Sequence, residues 1–228
     1  MKADVSEIFE SIQGEGILIG VRQLFVRFSK CNLECTYCDT PKNLEFCTDR
    51  ISNRKLRNPI SAEYVSDIIK SVKVHSVSLT GGEPLLYADF IKNLAKTKPF
   101  YLETNMTLPE NAKKIADIVD FVAGDFKIRE VLPNQNYDEI FEKTVKCFKI
   151  LRNTKSRLTF CKIVLPSKFD MDEVISNAES IKDYVTSFVL QPVFGQKNIK
   201  ALFDLQKRLM DLGDVRIIPQ VHKYLGVR

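Results

Sequence analysis

Apolar residues recur along the chain as short runs, and most of the stretches between them are amphipathic. The runs at 24–28, 76–79, 100–102, 121–123, 158–165, 188–190 and 215–218 are rich in Val, Ile, Leu and Phe and have the length of strands. The spacing between several of them has the period of a helix. Ser61 stands as an N-cap before an apolar face of Tyr64, Val65, Ile68, Ile69 and Val72. Pro109 and Glu110 open a second helix. Phe141, Val145, Phe148 and Leu151 line a third, and Leu202, Leu205, Leu209 and Leu212 a fourth that Gly213 stops. The segment 41–59 breaks the pattern with asparagines and charges, and reads as a long loop.

Strands alternating with helices predict an α/β chain with a parallel sheet. Six or seven such units predict a partial (β/α) barrel of six or so parallel strands. The expectation is a single domain over all 228 residues. In barrels of this kind the chemistry gathers at the C-terminal ends of the strands. Cys31 follows the first run, and Thr80-Gly81-Gly82-Glu83-Pro84 the second. Glu103-Thr104-Asn105 follows the third, Asp125 and Lys127 the fourth, and Gln191-Pro192 the sixth. One opening would therefore collect all of them.

Composition narrows the class. Hydrophobic residues make up 44% and charged residues 28%, as in ordinary globular proteins. A net charge of +5 suits an anionic small molecule and is far from the basic stripe of a nucleic-acid binder, so no nucleic-acid partner is expected. No apolar run approaches the ~20 residues of a membrane span. The first residues, Met1 to Glu7, hold no apolar leader-like stretch, which gives the expectation of a cytoplasmic protein without a membrane partner. A reducing compartment keeps thiols free, so the six cysteines are not expected to form a disulfide framework.

Three of those cysteines, Cys31, Cys35 and Cys38, fall in a C-x3-C-x2-C run. Three thiolates on one short loop can hold a corner of a [4Fe–4S] cube. The fourth iron then keeps an open position able to bind the amino and carboxylate groups of S-adenosylmethionine. A closed zinc site is the alternative, with Cys47 as a conceivable fourth thiolate and only His75 and His222 as histidines. Cys147 and Cys161 sit in helix and strand patterns and read as small buried residues.

The cysteine run, with Tyr37 before its last thiol, and the Gly81-Gly82-Glu83-Pro84 stretch resemble the two hallmarks of the radical S-adenosylmethionine superfamily. A closer likeness covers nearly the whole chain. The segment from Glu7 to Gly16, Arg27, Cys38-Asp39-Thr40, Glu103-Thr104-Asn105 and the stretch from Pro219 to Gly226 are similar to those of 7-carboxy-7-deazaguanine synthases. The resemblance implies conversion of 6-carboxy-5,6,7,8-tetrahydropterin to 7-carboxy-7-deazaguanine, a ring contraction that releases ammonia on the way to queuosine or archaeosine.

It also implies roles. Ile12, Gln13, Gly14, Glu15 and Thr80 would contact the pterin, and Arg27 would pair with its carboxylate. Tyr37, Asp39, Gly82, Glu83, Asp125, Phe126, Lys127 and Gln191 would hold S-adenosylmethionine, and Thr40 would meet Mg2+. A flavodoxin- or ferredoxin-type reductant and a homodimer follow from the same likeness. Two departures stand out. The resembled enzymes often carry Ser-Pro-Lys at Asp125-Phe126-Lys127, and often Gly at Met106. Two other readings stay open at this point: an activase that abstracts hydrogen from a glycine of a partner protein, and an iron–sulfur electron carrier.

Overall fold

A computed structural model describes residues 1–38, 40, 44–195 and 198–228. The strands are β1 (Lys2–Ala3), β2 (Val5–Ile12), β3 (Arg22–Phe28), β4 (Phe46–Asp49), β5 (Arg54–Arg57), β6 (Ile60–Ser61), β7 (Ser76–Gly81), β8 (Phe100–Thr104), β9 (Phe121–Asp125), β10 (Leu158–Leu165), β11 (Ser187–Pro192) and β12 (Asp214–Ile217). The helices are α1 (Ala62–Ser71), α2 (Ala88–Lys92), α3 (Pro109–Ile115), α4 (Tyr137–Ile150), α5 (Met171–Glu179), α6 (Ile199–Leu209) and α7 (Val221–Leu225).

One ten-stranded sheet runs in the order β12-β11-β10-β9-β8-β7-β3-β2-β4-β5. From β3 to β12 every neighbouring pair is parallel. These are the seven runs legible in the sequence, and together they form the partial (β/α) barrel expected. β2 adds antiparallel to β3 and extends the sheet beyond it. β1 and β6 pair separately.

Besides β1, β2, β6, α2, α5 and α7, which the sequence reading did not name, two features differ from it. Much of the segment read as a long loop is a hairpin, with β4 and β5 antiparallel and β4 parallel to β2. Its strands are only four residues long, and β5 is mostly basic, so neither alternation nor apolar content betrayed them. Cys47 on β4 is fully buried, which makes it part of the packing and not a loop residue.

The helix signals have clear local causes. The Ser61 hydroxyl accepts from the Tyr64 amide at the start of α1, and Pro109 occupies the first turn of α3. The outward faces of the strands meet the helices in one core that includes Leu24, Val26, Leu79, Leu102, Ile163, Leu190 and Phe148. Each such side chain contributes roughly 1.5–3 kcal/mol by leaving water. The inward faces form a second, smaller cluster of Tyr101, Ala123, Phe160 and Val189. This apolar floor closes one end of the barrel and leaves the C-terminal ends of the strands for polar residues.

Candidate active site

Side chains alternate across a strand, so the residues two places beyond the floor face the same interior. Tyr101 is followed by Glu103, Ala123 by Asp125, Phe160 by Lys162 and Val189 by Gln191. Strand register brings these into a ring: Lys162 is opposite Asp125, Val164 opposite Gln191, and Arg27 opposite Thr80.

Above the ring lie two adjoining cavities. One, of about 470 Å³, is lined among others by Ile12, Gln13, Gly14, Arg27 and His222. The other, of about 380 Å³, is lined by Cys31, Cys35, Cys38, Tyr37, Thr40, Gly82, Asp125, Lys127, Lys162 and Gln191 as well. Their common wall is Glu15, Arg27, Thr80, Glu103, Gln220 and Lys223. Two ligands bound side by side would thus meet across this wall.

The cysteine loop leaves β3 and turns over the barrel mouth. Cys31 and Cys35 are half-buried and Cys38 is exposed. The Leu33 amide donates to the Cys31 Sγ at 3.4 Å, and the Asn105 side chain reaches the same sulfur at 3.8 Å. Burial pushes the Cys35 thiol up, and Asp125 and the two other thiols add to that effect against Lys127. Among the described residues no three His, Cys, Asp or Glu side chains close on one ion. A cube takes one thiolate per iron, so its ligands stand around a cavity rather than converge. The closed zinc alternative needs a fourth ligand on the same ion. Cys47, His75 and His222 do not line this cavity. Cys47, Cys147 and Cys161 are buried elsewhere, and burial pushes the first two to about 12 and the third well above the usual thiol value.

The Gly-Gly pair has a steric reason. Gly81 takes φ +108, and a Cβ there would lie 2.5 Å from the Phe28 carbonyl oxygen; a Cβ on Gly82 would collide with the carbonyl oxygen of Lys30. The Gly82 amide donates to Phe28 and the Glu83 amide to Lys30. The stretch therefore lies directly on the chain that enters Cys31. Glu83 is fully buried, and its carboxylate accepts from Leu85, Thr104 and Asn105 at 2.7–2.9 Å. Burial pushes its carboxyl up to about 7, against those hydrogen bonds.

The charges between the cavities form one ladder. Lys162 Nζ donates to Glu15 Oε2 at 2.7 Å and lies 3.4 Å from Asp125 Oδ1. Lys127 Nζ donates to Asp125 Oδ2 at 2.7 Å and to the Tyr37 hydroxyl at 2.8 Å. Gln220 donates to Glu15 Oε1 at 2.7 Å. Burial alone would raise the Glu15 carboxyl, but Lys162 reverses this, helped by Gln220 and His222, and holds it at about 2. Burial works against the Lys162 charge, and Asp125 and Glu15 overcome it, so its pKa rises well above the usual lysine value.

Most of the residues singled out in the sequence line these cavities. Asp39 lies outside the described residues. The side chains of Glu83 and Phe126 do not line either cavity: both are almost fully buried, Phe126 against Phe141 and Phe148 of α4 and Glu83 against Thr104 and the Asn105 amide. Gln191 Oε1 and Asp125 Oδ1 are buried acceptors without a hydrogen-bond donor, on residues that line the thiol cavity. Met106, where the resembled enzymes often carry Gly, takes φ +59, the left-handed region that favours glycine. Its side chain fills the space beside Gly124. Lys162 escaped the sequence reading. The available signal was a lone lysine within the apolar run 158–165 of a strand buried on both faces.

Comparison with known proteins agrees with this geometry. The sequence profile of the Radical SAM superfamily matches residues 25–181. A 7-carboxy-7-deazaguanine synthase of Archaeoglobus fulgidus is 65% identical over 228 residues, covering 100% of both chains. The enzyme of the same name from Methanothermobacter thermautotrophicus is 34% identical, covering 100% of this chain and 99% of that one. The crystal structure of QueE from Escherichia coli shares the fold with a TM-score of 0.61 at 18% identity, covering 97% of this chain and 95% of that one. The chain is a member of the radical S-adenosylmethionine superfamily. Within it, the chain belongs to the 7-carboxy-7-deazaguanine synthase family.

Proposed function

We propose that this chain converts 6-carboxy-5,6,7,8-tetrahydropterin to 7-carboxy-7-deazaguanine, a precursor of queuosine or archaeosine, and that its 228 residues act as one domain. The carrying observation is the pair of adjoining cavities, one lined by three thiols, that share Glu15, Arg27, Thr80 and Glu103 as a wall. An electron carrier needs no such paired space. Full-length identity to named synthases favours this enzyme over a partner-protein activase.

Cys31, Cys35 and Cys38 would hold a [4Fe–4S] cluster, whose chemistry, when it is bound, is reductive cleavage of S-adenosylmethionine to a 5′-deoxyadenosyl radical. The thiol cavity fits such a nucleotide. Gln191 Oε1, which has no hydrogen-bond partner among the described residues, and Asp125 Oδ1, which has an ion pair to Lys162 but no hydrogen bond, suit ribose hydroxyls or an adenine amino group, and Gly82, Tyr37 and Lys127 would complete its walls. Asp39 is assigned the same ligand by resemblance alone. Glu83 and Phe126 would act on the nucleotide indirectly. Glu83 anchors the turn that carries Asn105, and the Phe126 amide bonds to the Lys162 carbonyl.

Arg27 would meet the pterin carboxylate. Its Nε is buried without an acceptor, although Glu7 lies 3.8 Å away, which leaves donor capacity for a fork-to-carboxylate contact. Gln13, Gly14, Glu15 and Thr80 would bind the heterocycle beside Ile12. Thr40, on the wall of the thiol cavity, would offer Mg2+ a hard oxygen, and that ion keeps most of its waters. A flavodoxin- or ferredoxin-type reductant, a homodimer and a cytoplasmic location belong to the same proposal. Among the described residues no helix is long and apolar enough to cross a membrane.

The test is anaerobic reconstitution followed by addition of S-adenosylmethionine, Mg2+, reductant and the pterin. Mass spectrometry is expected to find 7-carboxy-7-deazaguanine. Release of 5′-deoxyadenosine without that product would reject the substrate and retain the superfamily chemistry.

A further inference from the structure

We infer that Lys162 is a positioning residue: it ties the pterin-side carboxylate Glu15 to the nucleotide-side carboxylate Asp125 and so fixes the two ligands relative to each other. The inference rests on the proposed function and adds a residue that the family likeness of the sequence does not assign.

Three observations carry it. Lys162 stands at the seam, lining the thiol cavity while its ammonium bonds to Glu15, a wall of both cavities. Its side chain is 8% exposed, and it touches Glu15 and Asp125 at once. Glu15 comes from the segment after β2, Asp125 from the end of β9, and Lys162 from β10. No strand pairing joins the first of these to the others, so this ammonium is a direct tie between the two sides.

The fold does not need a charge there. The inward neighbours on the same strand are Phe160, in the apolar floor, and Val164, on the cavity wall. A buried ion pair is generally no more stabilising than an apolar replacement of similar volume. Its retention at the contact line between two cavities is explained by placement: a cation hydrogen-bonded to Glu15 and ion-paired with Asp125 at 3.4 Å holds both acids in one geometry and keeps Glu15 an acceptor for donor groups of a heterocycle.

The test separates charge from reach, using Lys162→Gln and Lys162→Arg in the full chain. The first readout is product formed per 5′-deoxyadenosine released by the reconstituted enzyme. The second needs no cluster: binding of 6-carboxypterin, followed by its fluorescence, between pH 5 and 8. The charged and titratable groups around Glu15 and its cation are Lys162 from β10, Asp125 from β9, Glu103 and Tyr101 from β8, Arg27 from β3, and His222 and Lys223 from α7. All but Lys162 are common to every variant, so differences between variants report on Lys162.

For Lys162→Gln, product per 5′-deoxyadenosine is expected to fall about tenfold while the dissociation constant for S-adenosylmethionine stays within about threefold. Its 6-carboxypterin binding is expected to weaken toward pH 5, where Glu15 without its cation takes up a proton, while wild type stays flatter. For Lys162→Arg, the pH profile returns to that of wild type, but coupling still falls about twofold to fivefold because the longer fork moves the acids apart. If Lys162→Gln does not fold, the Arg variant decides alone. Unchanged coupling in Lys162→Arg, or an unchanged pH profile in a folded Lys162→Gln, overturns the inference. A wild type that makes no product overturns the proposed function itself, whereas product from wild type with unaffected variants overturns only the role of Lys162.

Discussion

Gln13 Nε2 donates to Glu103 Oε1 at 2.8 Å across 90 positions of sequence, and Thr80 donates to the other oxygen of the same carboxylate at 2.7 Å. Glu103 is thereby the hinge of the shared wall: it fixes one residue from the segment after β2 and one from β7. Replacing it by Ala removes both acceptors. The expected result is a loss of stability of about 1–3 kcal/mol, the usual cost of leaving buried donors unpaired, and, with Gln13 and Thr80 released, a weaker affinity for the pterin. Isothermal titration with 6-carboxypterin measures the affinity, and an unaltered value would detach the wall from pterin binding.

Arg27→Ala is expected to raise the KM for the pterin at least about tenfold and to leave S-adenosylmethionine binding within about threefold, since the loss is one charge-assisted fork. Arg27→Lys should recover little, because a point ammonium cannot copy the planar fork. Parallel losses for both ligands would refute the assignment.

Gly82→Ala forces a methyl group into the Lys30 carbonyl beside Cys31. We expect iron per chain after reconstitution to fall well below that of wild type, with a weaker absorbance near 400 nm. Full iron loading would show that the Gly-Gly contact does not shape the cysteine loop.

The Glu15 carboxyl is held at about 2 against an ordinary value of 4.5, where burial is opposed by Lys162. A depressed folded-state value adds stability that is complete above the unfolded value and is lost as pH falls from about 4.5 toward about 2. Glu15→Gln has no such pH-dependent contribution. The melting temperature of wild type should therefore exceed that of Glu15→Gln most above pH 4.5, and the gap should narrow on acidification. A gap independent of pH would remove Glu15 from the ion pair.

Thr40→Ala should blunt the response of turnover to added Mg2+, read as product against magnesium concentration. An identical titration curve would move the ion away from Thr40.

Seven parallel strands, three helix faces, a fourth helix start and the cysteine loop were legible in the chain because each rests on local rules: runs of apolar residues, helical period, Ser and Pro at helix starts, thiols at fixed spacing. β2, β4 and β5 were not; the last two are four-residue strands that exist by pairing with β2 and with each other. Lys162 was hidden for a related reason. Its meaning lies in Glu15, 147 positions away, and nothing in its own neighbourhood points there.

By itself, then, the sequence determined the class of fold, the three thiols and the order in which reactive residues leave successive strands, because covalent spacing and side-chain period are properties of the chain alone. Only the tertiary structure decided that two cavities share a wall, that Glu83 is buried outside both of them, and that a buried lysine spans two acids. Those depend on register between strands and on which charges exclude water together, and neither quantity exists until the barrel has closed around them.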